Sequence, residues 1–340
     1  MTIPIENRRI ALVGGAGFIG HNLALTLKKM GADVHVIDSL QINNLYSFNE
    51  AQGNAVNRDL YIRITQTRLD LMKEAGIPVH IQDAREYESL TNVLQSIKPQ
   101  VVVQLAAVAH ANRSNKDPYS TFDHSLRTLE NALDYSRGNV EHFLFFSSSM
   151  VYGNFMSDAV TEETQCDPLG IYGALKFAGE KMVIAYNQVF DLPYTIIRPS
   201  ALYGERCVSR RVGQIFIENA IQGTGVTVFG DGSDRLDFTY IQDLVGGVVN
   251  AIENEGSHNE IFNLTYGSAC SISEMAQIIE EYFPLVNVNY EDREALMPER
   301  GTLLVDKARR LIGYDPQWPL QRGFVEYIKW YKAFLESTSQ

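Results

Sequence analysis

"IALVGGAGFIG", residues 10–20, decides the fold. An unbroken apolar run, Ile10 to Val13, enters a glycine-rich turn, and a helical pattern comes next. The run reads as a buried strand, with Gly14, Gly17 and Gly20 in the turn onto the helix. Backbone in such a turn can approach a pyrophosphate closely, and the helix N-terminus offers free N–H groups to its charge. "HNLALTLKKMG" carries the helical spacing and closes on Gly31 as a C-cap. "DVHVID" is a second strand, ended by Asp38. A carboxylate there accepts hydrogen bonds from a ribose diol and repels a 2′-phosphate, which favours NAD over NADP. A tight turn with no ligand is the plainer alternative.

The same rhythm continues. "RDLYIRITQTRLDLMKEAG" is an amphipathic helix ending at Gly76, after a polar loop over residues 41–56. "PVHIQD" is strand three, residues 86–97 a helix, and "QVVVQLAA" strand four. Residues 119–137 are helical, "EHFLFFSSS" is strand five, 172–190 a helix and "YTIIRP" strand six. The strands are continuously apolar and alternate with helices. That pattern predicts an α/β fold: a Rossmann-type, doubly wound parallel sheet covered on both faces. After residue 200 the alternation loosens, through a helix at 209–222, "VTVFG", a helix at 242–253, "IFNLT" and a helix at 273–282. The expected division is an NAD-binding domain over 1–200 and a smaller C-terminal α/β substrate domain over 201–340, with some chain crossing back.

Bulk properties narrow the function. The chain has 340 residues, 41 acidic and 29 basic, for a net charge of −12. That argues against nucleic-acid or anionic-lipid partners, which need a basic face. Cys166, Cys207 and Cys270 match no metal spacing, so no metal is expected, and an odd count without a framework suggests a reducing compartment. The N-terminus lacks a signal-peptide core and no run of about 18 apolar residues exists. A soluble cytoplasmic protein is the expectation.

"GIYGALK" places Tyr172 and Lys176 four apart, on one face of a helix. A tyrosine hydroxyl, with its usual pKa near 10, is a poor base at neutral pH. An ammonium one turn away favours the phenolate, which becomes a usable general base. Upstream, strand five ends on Ser147, Ser148 and Ser149. Hydroxyls at a strand's C-terminal end lie where open α/β sheets bind ligands. For Asp83, at the end of strand three, an adenine contact and a solvated loop carboxylate are rival readings.

The spacing G-x-x-G-x-x-G, with "LAA", "SSSMVYG", "YGALK", "IIRPSALYG" and "DFTYIQDL", resembles the extended branch of the short-chain dehydrogenase/reductase superfamily over about residues 8–330. In that branch the catalytic Ser or Thr lies five positions before the glycine of Val-Tyr-Gly, which here is Ser148. The resemblance implies cofactor contacts at Gly14, Gly17, Phe18, Ile19, Gly20, Asp38, Asp83, Ala84, Leu105, Ala106, Ala107, Tyr172, Lys176 and Pro199. It further implies a nucleotide-sugar substrate, hydride transfer from sugar C4 to NAD, and a homodimer built on the helices near 119–137 and 172–190.

Subfamilies differ in the chemistry that succeeds C4 oxidation. Similar dehydratases carry Asp-Glu directly after the catalytic hydroxyl, decarboxylases a Glu at the second position, and 3,5-epimerases a Cys there. This chain has Ser149 and Met150, neither of which shuttles a proton. The remaining cycle oxidises C4, rotates the keto sugar and returns the hydride, as in a 4-epimerase of a UDP-hexose or UDP-hexuronate. Dehydratase, decarboxylase, 4-keto-sugar reductase and a catalytically silent NAD-binding regulator are the alternatives. Ser148, Ser149 and Tyr172 are candidate substrate contacts, and Arg210, Arg211, Arg235 and Arg300 are candidates for the diphosphate, because a guanidinium grips two phosphate oxygens. Similar proteins place an arginine at Leu236 and an asparagine at Ala201, so the diphosphate grip departs from the pattern. "YIRITQTRLDLM" is expected to cover the cofactor.

Overall fold

The computed structural model describes residues 2–49, 57–108, 111–293 and 298–337. Seven strands form the main sheet: β1 (Arg9–Val13), β2 (Asp33–Asp38), β3 (Val79–Ile81), β4 (Val101–Gln104), β5 (His142–Phe146), β6 (Tyr194–Arg198) and β7 (Glu260–Asn263). They run parallel in the order β7-β6-β5-β4-β1-β2-β3. The order reverses between β1 and β4, so a crevice opens outside their carboxyl ends. β4, β5 and β6 are buried at every residue, as a sheet covered on both faces requires. Alternate residues serve opposite faces. Ile10, Leu12, Val101 and Val103 join one core, and Ala11, Val13 and Val102 the other. Each of these Ile, Leu and Val side chains removed from water contributes about 1.5–3 kcal/mol before the entropy of ordering is subtracted.

The principal helices are α1 (Phe18–Lys29), α2 (Arg58–Glu74), α3 (Tyr87–Ile97), α4 (Thr128–Ser136), α5 (Gly170–Phe190), α6 (Val212–Gln222), α7 (Ile241–Glu253), α8 (Ile272–Tyr282) and α9 (Leu320–Glu336). α1 ends as expected: Met30 caps it and Gly31 takes φ +87°. Four readings need amendment. Residues 41–49 contain a short helix, Leu45–Asn49, while 50–56 lie outside the described residues. The helix over 119–137 is Pro118–Phe122, a π-helical turn Asp123–Arg127, then α4. The helix expected from 209 starts at Val212, because Arg210 takes φ +50° and Arg211 is extended. Finally, α9 was unforeseen; it buries Phe324, Tyr327, Ile328 and Tyr331 on one face.

The C-terminal part reaches the main sheet through β7, which pairs with β6. Its other strands are short pairs, such as 226–229 with 288–291 and 235–236 with 270–271. Among the described residues, no helix is long and apolar enough to cross a membrane.

Candidate active site

The turn from β1 to α1 is shaped by close approach. Gly14 takes φ +82°, and a Cβ there would meet the Ala106 nitrogen at 2.5 Å. A Cβ on Gly20 would meet Gly15 main chain at 2.4 Å, so the helix presses on the turn. Gly17 differs: among the described residues a Cβ there would have Gly14 O at 3.4 Å as its only close neighbour, which leaves that side open to a ligand. No side chain caps α1, and its first turn has no acidic residue, so its N–H groups remain available to an anion.

A trough begins at this turn. Gly14, Gly17, Phe18, Ile19, Gly20, Asp38, Asp83, Ala84, Leu105, Ala106 and Ala107 all line it. Asp38 accepts from the N–H of Ala16 at 2.9 Å and of Leu40 at 2.7 Å. Burial raises its pKa, against the pull of those donors and of Arg68. Burial also acts upward on Asp83, but the Arg85 guanidinium, 2.6 Å away, outweighs it and holds the carboxyl below its usual range. The open glycine side, the uncapped helix and the half-buried carboxylate at the end of β2 fit a dinucleotide.

Sequence reasoning missed Arg68 as a lining residue of the trough. It lies on the buried stripe of α2 with Tyr61, Ile64, Thr65 and Met72. An arginine on that stripe was the available signal. Its Nε donates to Arg206 O at 3.0 Å and its Nη2 to the same oxygen, while Nη1 is buried without a partner among the described residues. Burial lowers its pKa to about 10.

Beyond the trough lies a larger cavity, about 680 Å³, lined by Ser148, Ser149, Met150, Tyr172, Lys176 and Pro199 among others. The three serines at the end of β5 face different partners. Ser147 donates to Glu180 Oε1 at 2.5 Å. Ser148 accepts from Met150 N at 3.2 Å and borders the cavity. Ser149 donates its N–H to Pro199 O at 2.9 Å, and its hydroxyl accepts from Arg300 Nη2 at 3.1 Å. Lys176 is buried on α5 and donates to Phe146 O at 2.6 Å. Burial pushes its pKa down to about 8, opposed by the Glu180 charge. Asn115 Oδ1 accepts from Ile171 N at 3.2 Å and so steadies the first turn of α5, the turn that carries Tyr172.

Arg211 borders both cavities. Arg235 lines the larger one but donates to Ala269 O. Arg300 also lines it, yet folds back to donate to Ser149 O at 2.8 Å and to approach Met150 Sδ at 2.9 Å. Burial lowers the Arg300 pKa to about 10, opposed by the nearby Tyr172. Ala201 takes φ +38°, a left-handed conformation that asparagine tolerates better than alanine. Phe216, Phe229, Phe238 and Met275 supply apolar wall.

The family model described as "NAD dependent epimerase/dehydratase family" matches residues 10–265, three quarters of the chain. The chain belongs to that family. It is 28% identical to the uncharacterized UDP-glucose epimerase YtcB of Bacillus subtilis, across 98% of this chain and 99% of that protein. It is 25% identical to UDP-glucuronate 4-epimerase 4 of Arabidopsis thaliana, across 96% of this chain and 75% of that one. Its fold superposes on UDP-glucuronic acid 4-epimerase from Bacillus cereus, solved with UDP-glucuronic acid and NAD, with a TM-score of 0.83 at 25% identity. That match covers 96% of this chain and 99% of the other.

Proposed function

We infer that the chain is an NAD-dependent UDP-sugar 4-epimerase. The observation that carries the reading is one cavity, adjoining the dinucleotide trough, that joins Ser148, Tyr172 and Lys176 but has Met150 where elimination or decarboxylation would need a proton shuttle. NAD held in the trough would supply the hydride acceptor and donor for sugar C4. The chain supplies the rest. The C4 hydroxyl proton passes to the Ser148 hydroxyl, which gives its own proton to the Tyr172 phenolate, so that Tyr172 ends protonated. Lys176, one turn along α5, supplies the positive charge beside the phenolate. The apolar wall would leave the keto sugar free to turn, so that the hydride would return to the opposite face of C4 while Tyr172 gives its proton back to the C4 oxygen through Ser148.

Asp38 is assigned to the adenine ribose, the glycine turn to the pyrophosphate, and Arg211, Arg235 and Arg300 to the substrate diphosphate. Arg300 must leave Ser149 to act there. On this reading the first 200 residues bind cofactor, and the rest, with β7 returned to the sheet, bind the sugar nucleotide. The proposed assembly is a homodimer. The segments at 118–136 and 170–190 pack side by side and expose Tyr119, Phe122, Val189 and Phe190. Three unpaired thiols fit a reducing, cytoplasmic setting.

The test is NMR of a UDP-sugar panel, UDP-glucose and UDP-glucuronate included, incubated with the protein in D₂O. A C4-inverted sugar without carbon-bound deuterium is expected. Deuterium at C3 or C5, a 6-deoxy product or a pentose would overturn the reading.

A further inference from the structure

Beneath the proposed catalytic groups lies a fully buried ion pair. Glu180 is 1% exposed and Arg198 is 3% exposed. Arg198 grips the carboxylate with two donors, Nε to Oε1 at 2.9 Å and Nη2 to Oε2 at 2.7 Å. Ser147 donates to Oε1 at 2.5 Å, giving the carboxylate a third donor. The far side of Arg198 donates to the Tyr152 hydroxyl at 2.9 Å, and Tyr152 donates to Asn263 on β7 at 2.8 Å.

The pair therefore touches both flanks of Ser148. Ser147 immediately precedes it, and Tyr152 closes the 3-10 turn on its other side. Glu180 also stands one helical turn beyond Lys176, which stands one turn beyond Tyr172, all on α5. One buried carboxylate thus connects β5, β6 and the helix that carries the base.

We propose that Glu180 is a positioning residue of the reaction: clamped by Arg198 and Ser147, it fixes the Ser148 turn to the Tyr172–Lys176 helix and supplies the countercharge of the Lys176 ammonium. The inference rests on the epimerase reading. The surroundings of Lys176 support it. On its own helix Glu180 and Tyr172 stand one turn to either side of it, and from β5 it meets the Phe146 carbonyl and the Phe145 ring, 5.2 Å away. Arg198 lies beyond Glu180 on β6, with Tyr152, Glu162 and Cys166 around it, and Arg300 lies beyond Tyr172. Glu180 is the charge that opposes the effect of burial on Lys176.

The test labels lysines with ¹³C at Cε and assigns Lys176 by difference against Lys176→Met. In Glu180→Gln the charge goes and one acceptor oxygen survives, the other being replaced by an amide NH₂ that can no longer accept from Arg198 or Ser147. The Lys176 titration midpoint should fall by about one pH unit, the scale of one charge near a buried partner. The alkaline limb of kcat should fall by the same amount, with turnover recovering toward pH 6 and KM for the UDP-sugar little changed. A structural role alone would lower kcat equally at every pH and leave the midpoint in place, which overturns the proposal. Glu180→Gln leaves a lone guanidinium and risks misfolding. The double variant with Arg198→Met removes that charge too. Its midpoint should stay low, and a return to the wild-type value also overturns the proposal. If the wild type epimerises no UDP-sugar, the functional reading fails, while the lysine midpoints still decide the Glu180 assignment.

Discussion

Lys176→Met should change the pH dependence of folding in a way the burial of the lysine dictates. Its pKa is about 8 in the folded chain, against 10.5 for an ordinary lysine, and the first cause is burial. Between those values the unfolded chain holds a proton that the folded chain does not. Stability therefore rises with pH across that window. Below about pH 8 both states are protonated, and the full cost of burying the ammonium is present. The window of about 2.5 pH units, from 10.5 down to about 8, corresponds to about 3 kcal/mol. No solvent discount applies, since the side chain is buried. The assay is urea unfolding of nucleotide-free wild type and variant at several pH values from 7 to 10.5, read as the difference at each pH. Groups beyond the reach of Lys176 titrate alike in both proteins and cancel. Wild type should gain about 3 kcal/mol on the variant from pH 8 to 10.5, with a flat difference below. A difference that stays constant to pH 10.5 would refute the argument. Any offset from the Phe146 carbonyl, left without its donor, does not change with pH and so does not imitate the slope.

The same geometry sets three further outcomes. Ser148→Ala should lower turnover by about 10²–10⁴, and Tyr172→Phe at least as much, whereas Ser147→Ala and Ser149→Ala should cost under about tenfold, measured as kcat on the accepted UDP-sugar. Arg68→Met should weaken NAD binding by about tenfold in calorimetry, because it removes the guanidinium that lines the trough and ties α2 to the Arg206 carbonyl; unchanged affinity would assign Arg68 to packing alone. Light scattering at micromolar concentration should give twice the chain mass, and Val189→Glu with Phe190→Glu should halve it.

Much of the site was legible because its parts are local. A strand, a glycine turn and a helix are contiguous in "IALVGGAGFIG", so steric need for glycine and the free N–H groups of a helix can be read together. Tyr172 and Lys176 share a helix face whatever surrounds them. Continuous apolar strands between helices imply a parallel sheet. The π turn at Asp123–Arg127 was not legible, since no period marks it, and the short helix at Leu45–Asn49 is marked only by the Asn44 cap, whose Oδ1 accepts from Leu45 N at 2.9 Å. The three serines show the boundary most clearly. Adjacent in sequence and identical in chemistry, they are told apart in the sequence only by the resemblance; physically they separate when Glu180, 33 residues away, takes Ser147, and Arg300, 151 residues away, takes Ser149. Arg68 reaches the trough because α2 packs against α1. Arg300 lies against Ser149 because the chain returns from the far end of its C-terminal part. Local pattern constrains backbone conformation and which face is apolar. Which buried charge meets which partner depends on desolvation, and that is decided only when distant segments close over the group together.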